Sequence, residues 1–142
     1  MNKAWAQRWI KLFDGHTEEL MALYAEDIRF EDVNLSVQIN NDKARLRKFF
    51  TTFANRDPAI AVHHFDVFDY EGDAQMGCFQ WTWETEHKMD FFGFPAAGKK
   101  THTRGMTLMK YRDGKIILER SIWDVGAILQ QLGVMATIKL EF

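Results

Sequence analysis

The sequence predicts an α+β fold in which a curved antiparallel sheet wraps on N-terminal helices, in the order α-α-β-α-β-β-β-β-α, to make a cone. Three observations predict it. Apolar residues recur at helical spacing through much of residues 2–53 and at a period of two after Pro58. The alternating segments are joined by short Gly- and Asp-containing breaks, which favour consecutive hairpins and hence antiparallel pairing. The helices cluster at the start of the chain, where they can cover one face of the sheet. A bent sheet covered in this way encloses a hollow, and its mouth suits a small ligand.

Each element has its own signal. In residues 2–13, Trp5, Trp9, Leu12 and Phe13 repeat at helical spacing with Lys3, Gln7 and Lys11 between them, and Asp14-Gly15 ends the helix. Thr17, Leu20, Met21, Leu23 and Tyr24 predict a second short helix capped near Thr17. The alternation Ile28-Arg29-Phe30-Glu31-Asp32-Val33 predicts a short strand. A third helix starts near Asn41-Asp42 and carries Leu46, Phe49, Phe50 and Phe53 on one side. Segments 59–70, 74–89, 99–112 and 115–124 are rich in β-branched and aromatic residues and predict four long strands. Of the breaks between them, Asp113-Gly114 is the strongest hairpin signal. In 79–86 aromatic and polar residues alternate, so the aromatic face is expected inside and Gln80, Thr82, Glu84 and Glu86 against water or a partner. A last helix follows Asp124, carries Ile128, Leu129 and Leu132, and stops at Gly133. The tail 134–142 is expected to be an edge strand or a disordered end of a single domain spanning 1–142.

Composition narrows the function. The 142 residues suit one domain of ordinary size, and 46% of them are apolar, 12 being Phe, 5 Trp and 3 Tyr. Eighteen basic against twenty acidic residues leave a net charge of -2, with no basic excess to neutralise phosphates, so nucleic acid is not an expected partner. The single Cys78 cannot form an internal disulfide. Lys3, Arg8 and Lys11 interrupt the apolar run that a signal peptide would need, and no stretch approaches the ~20 apolar residues of a membrane span. A cytoplasmic protein without membrane contact is therefore expected. The sequence has no zinc-type Cys/His spacing, phosphate loop, dinucleotide fingerprint or Gly-x-Ser-x-Gly elbow, so neither metal nor cofactor is expected.

Three motifs carry a resemblance. The segment 113-DGKIILERSIWDVGAILQQLG-133 combines Asp-Gly-Lys-Ile, a glutamate, an aromatic, an aspartate and a helix ending Gln-Leu-Gly. The second, 87-HKMDFFGFPAAGKK-100, resembles a His-x-Gly-x-Phe-x-Gly-x-Pro-x-x-Gly-Lys pattern, and the third, 24-YAEDIRFED-32, ends in an aspartate. Together they resemble the SnoaL-like polyketide cyclases, within the cone-shaped superfamily of ketosteroid isomerase and nuclear transport factor 2. Met89 stands where the pattern has Gly, Val33 where Pro is common, and the tail beyond Gly133 falls outside it.

The resemblance implies a cofactor-independent cyclase or isomerase that works by acid/base chemistry on a hydrophobic, polyketide-like carbonyl compound. A non-catalytic small-molecule-binding domain of the same fold is the alternative, since similar scaffolds host different activities. Asp124 matches the aspartate that serves the cyclases as general acid/base, and an apolar cavity would raise its pKa towards working pH. The same residue also suits the N-cap of the last helix. Asp32 matches the general base of the ketosteroid isomerases, against a role as a solvent-facing strand end. His102 and His87 could each bond a substrate carbonyl or serve only structure. Parity groups His102 with Arg104, whose positive charge could stabilise an enolate or pair with Glu84 or Glu86. Gly105 and Met106 after Arg104 break the Arg-x-Asp expected of an epoxide hydrolase of this fold. Trp9, Tyr24 and Phe53 are the expected pocket aromatics, and a homodimer through the polar sheet face is the expected assembly. His63 and His64 are adjacent on a strand and should point to opposite faces.

Overall fold

The computed structural model describes residues 1–53 and 57–137. Its elements are α1 (Lys3–Lys11), α2 (Thr17–Ala22), β1 (Tyr24–Asp32), β2 (Val37–Asn40), α3 (Lys43–Phe53), β3 (Ala61–Gly72), β4 (Met76–His87), β5 (Lys100–Arg112), β6 (Lys115–Trp123) and α4 (Val125–Gln131). Short polar side chains start three of the helices. Asn2 accepts the Trp5 N–H at α1, Asp42 the Arg45 N–H at α3, and Asp124 the Ala127 N–H at α4. At α2 the cap position falls on His16, whose side chain makes no capping bond, and Thr17, the expected cap, is buried. Glu18 and Glu19 in the first turn complement the helix dipole instead.

The six strands form one curved, unclosed sheet in the order β2-β1-β6-β5-β4-β3. The β3–β4, β4–β5 and β5–β6 pairs are antiparallel, as the hairpin signals predict. One pairing corrects the antiparallel expectation: β1 lies parallel to β6. The reason is β2, a four-residue strand with only Val37 and Ile39 as apolar positions, too short to separate from a turn by periodicity. It pairs antiparallel with one edge of β1, and the other edge of β1 pairs parallel with β6. The β5–β6 turn places Asp113 at φ 52° and Gly114 at φ 73°, the doubly left-handed geometry of a type I′ turn. Register shifts at Val67/Asp69 and Lys110/Tyr111 bend the long strands.

The concave face presents Tyr24, Ile28, Phe30 and Asp32 from β1, Glu119, Ser121 and Trp123 from β6, and Thr107 and Met109 from β5, all buried. It also presents Phe79, Trp81 and Trp83 from β4. α1 crosses β3 with Trp9 edge-on to Phe79, and α3 lays Phe49 and Phe50 against Phe30. The convex face carries Arg104, Met106, Arg120 and Ile122, all exposed. One glycine sets the inner wall. Gly105 lies opposite Trp81 in the β4–β5 register, and a Cβ there would come within 2.2 Å of the indole. Its absence lets the indole lie over the β5 backbone, with Nε1 reaching the Thr107 hydroxyl at 2.9 Å.

Among the described residues no helix is long and apolar enough to cross a membrane. Of the tail, residues 134–137 belong to no helix or strand, and the remainder of that expectation lies outside the described residues.

Candidate active site

A cavity of about 70 Å³ lies between α1, α3 and the concave face of the sheet. Its walls are aromatic: Trp9 and Phe13 on the α1 side, Phe49, Phe50 and Phe53 from α3, Phe30, Phe65, Trp81, Trp83 and Trp123 from the strands. Four polar side chains interrupt them, namely Asp32, Thr107, Glu119 and Ser121.

Glu119 is the junction of two hydrogen-bond chains. In one, the Trp9 indole N–H donates to the Tyr24 hydroxyl at 3.0 Å, and that hydroxyl donates to Glu119 Oε2 at 2.5 Å. In the other, the Trp81 indole N–H donates to Thr107 Oγ1 at 2.9 Å. Thr107 Oγ1 lies 2.9 Å from Ser121 Oγ, and Ser121 donates to Glu119 Oε1 at 3.3 Å. An indole N–H can only donate, so both chains point their protons towards the carboxylate and are saturated when it is ionised. Burial acts against that charge and pushes the Glu119 carboxyl up to about 7, with a smaller upward push from Asp32. The Tyr24 and Ser121 hydroxyls pull it down. Tyr24 itself is held far above the ordinary phenol range, by burial first and by the Glu119 charge second.

Asp32 is the second carboxyl of the cavity. Its Oδ2 accepts the Trp123 indole N–H at 3.0 Å and its Oδ1 the Leu35 backbone N–H at 2.9 Å, which also pins the turn after β1.

The expected site residues divide into three groups. Asp32, Trp9 and Phe53 line the cavity, and Tyr24 stands directly behind Glu119. His87 is buried on the same face, its Nε2 2.9 Å from Thr101 Oγ1 and its ring edge-on to Phe91, with burial lowering its pKa. Asp124, His102 and Arg104 do not line this cavity: all three are exposed, His102 and Arg104 at the outward positions of β5. Trp123, the last residue of β6, points into the cavity, and Asp124 after it turns to cap α4, accepting the Ala127 N–H at 2.8 Å. On β5 the threonines 101, 103 and 107 take the inner positions and send His102 and Arg104 outwards. There Gln131 holds the His102 backbone, and the Arg104 guanidinium lies 4.7 Å from the Phe68 ring centre. His63 and His64 do point to opposite faces. His63 is half-buried, accepts the Trp83 indole N–H at Nδ1 (3.0 Å), and is pushed down to about 4, chiefly by burial.

Glu119, Ser121 and Thr107 are the site residues that sequence reasoning missed. The signal was the parity of β6. Arg120 marks one face as exposed, and Glu119, Ser121 and Trp123 then share the other. Among the described residues no group of three or more His, Cys, Asp or Glu side chains is placed to hold a metal ion.

The model of the SnoaL-like polyketide cyclase family matches residues 3–132. Among curated proteins none matches in sequence. Among solved structures, AclR from Streptomyces galilaeus, proposed to be a hydroxylase, superposes with a TM-score of 0.78 at 14% identity, over 96% of this chain and 87% of that one. IdmH from Streptomyces antibioticus, proposed to be a polyketide cyclase, gives 0.70 at 18% identity over 91% and 95%. A SnoaL-like protein from Shewanella putrefaciens CN-32, proposed to be a polyketide cyclase, gives 0.74 at 13% identity over 92% and 94%. At these identities the likeness shows the fold they share.

Proposed function

This chain belongs to the SnoaL-like polyketide cyclase family, and from that premise we propose that it is a cofactor-independent cyclase or isomerase of a hydrophobic carbonyl compound, with Glu119 as its acid/base. The observation that carries the proposal is a carboxyl buried at the wall of an aromatic cavity and held there by the Tyr24 and Ser121 hydroxyls, a setting that raises it to about 7. A group titrating near working pH can both take and return a proton.

The Glu119 carboxylate removes the proton from the carbon alpha to the substrate carbonyl, and the electron pair of that C–H bond becomes an enolate. In a cyclase the enolate carbon then bonds to a second carbonyl carbon of the same molecule, and the alkoxide so formed takes the proton back from Glu119. In an isomerase the proton returns to a different carbon. The Tyr24 and Ser121 hydroxyls hold the carboxylate in place between the steps. Asp32, tied by Trp123 and Leu35, assists by keeping negative charge beside Glu119 and so keeping its proton affinity high. Trp9 and Phe53 provide flat apolar surface for the substrate.

The test needs no knowledge of the natural substrate. Small β-diketones in D2O exchange their alpha protons, and NMR reads the rate. Wild-type protein should accelerate exchange, Glu119→Gln should lower the acceleration by about 100-fold or more, and Asp124→Asn should leave it within a factor of about 2. Diketones that bind without faster exchange would assign the cavity to binding alone.

We also propose a homodimer through the convex face, where Met106 and Ile122 are 42% and 51% exposed at adjacent register positions. Arg104, Arg120, Gln80 and Thr82 surround this pair, an apolar centre with a polar rim.

A further inference from the structure

Among the described residues two turns share an unusual shape. At Asp113-Gly114 both residues have positive φ, and Asp is among the residues that accept that conformation readily. At Phe92-Gly93 φ is 48° and 84°, and Phe91 and Phe94 close the turn with reciprocal backbone hydrogen bonds of 3.0 and 2.9 Å. This is again type I′, but its first central residue is a bulky aromatic, for which left-handed backbone is strained. The turn does not need Phe, as the other one demonstrates. Nor does the core, because Phe92 remains 53% exposed.

What the ring does touch is the wall of the cavity. Phe92 lies 6.0 Å from Phe53 between ring centres, and 4.5 Å edge-on from Phe91. Phe53 and Phe91 each sit 6.0 Å from Trp83, and Phe53 and Trp83 line the cavity. The four rings form a collar that continues the cavity wall outwards to solvent. The inner cavity is small: at about 70 Å³, with a single water needing roughly 10–15 Å³, it has room for a carbonyl head and little more.

We propose that the collar is a second binding subsite and that Phe92 is a specificity-determining residue, stacking on a flat, unsaturated tail that extends from the carbonyl head out of the inner cavity. The proposal rests on the reading of the cavity as a carbonyl site. A ring exposed on a strained turn, in tilted contact with the Phe53 ring of the cavity wall, gains its burial when a ligand tail covers it.

Three neutral probes test it: cyclohexanone, which is head alone, its 4-phenyl derivative with a flat tail, and its 4-cyclohexyl derivative with a saturated one. Binding is measured by calorimetry and ligand-observed NMR on wild-type protein, Phe92→Asn and Phe92→Ala. Asn suits the left-handed position, so Phe92→Asn should melt at or above the wild-type temperature. The expected result has wild-type protein binding the phenyl compound at least tenfold tighter than the head alone and several-fold tighter than the cyclohexyl compound. Both variants should lose at least fivefold of the phenyl affinity and keep the affinity for the head within twofold. Equal losses for head and phenyl compound, or unchanged phenyl affinity in both variants, would overturn the subsite while leaving the carbonyl site intact. If none of the three binds wild-type protein, the carbonyl site fails, and the subsite with it.

Discussion

A carboxyl group walled by aromatic rings has only a few hydroxyls to hold its charge, and at Glu119 those hydroxyls make separable predictions. Tyr24 lowers the Glu119 pKa by donating to Oε2. Tyr24→Phe should therefore move the acid limb of the exchange-rate profile to higher pH, with loss of rate at pH 6 and partial recovery at pH 8. An unmoved limb would detach the phenol from the titrating group. The same carboxyl shapes stability. Its value in the folded chain, about 7, lies above the ordinary 4.5, so the folded state binds the proton more tightly. Stability from this group is complete below about pH 4.5 and is lost as pH rises through 7, by at most about 3 kcal/mol. Glu119→Gln has no such titration. Its stability relative to wild type, from urea melts, should therefore grow by up to that amount between pH 4 and pH 8, while His63 titrates alike in both and cancels. Residue by residue, Asp32, Trp9 and Phe53 were legible as cavity positions because motif and aromatic character marked them. Asp124 was not: its cap role and its motif role pointed to one residue, and the cap is the role the structure displays.

At the scale of elements, the inner wall depends on how β4 and β5 lie against each other. Gly105 gives the Trp81 indole its place, and the indole feeds the Thr107–Ser121 chain. Gly105→Ala should force Trp81 off the β5 backbone, at about 1–3 kcal/mol of stability as for other overpacked sites. Diketone affinity should fall with it. A variant of wild-type stability and affinity would show that the contact is dispensable. The helices and the four long strands were readable within a few residues, because period and turn chemistry agree there: Asp113-Gly114 does form a type I′ turn. β2 was not readable, since four residues carry too little periodicity, and with it went the parallel β1–β6 pairing. Parity along β5 was readable but ambiguous, as threonines took three inner places while Met106 and Leu108 took outer ones.

For the whole molecule, the curved sheet separates two surfaces of different character. The concave side holds the aromatic cavity and its two carboxyls. The convex side presents Met106 and Ile122 at its centre, and a second copy of the chain there would cover both. Ile122→Lys should convert a dimer into a monomer in light scattering at micromolar concentration, with cavity binding unchanged. A wild-type monomer at millimolar concentration would contradict the assembly. The element order and the grouping of helices made the architecture legible at this scale, while the identity of the polar group inside the hollow depended on register. That identity is best tested by a 13C NMR titration of the glutamate side-chain carboxyls, with Glu119→Gln assigning the signal. The account predicts a Glu119 midpoint near 7, and a signal fully ionised by pH 5 would contradict it.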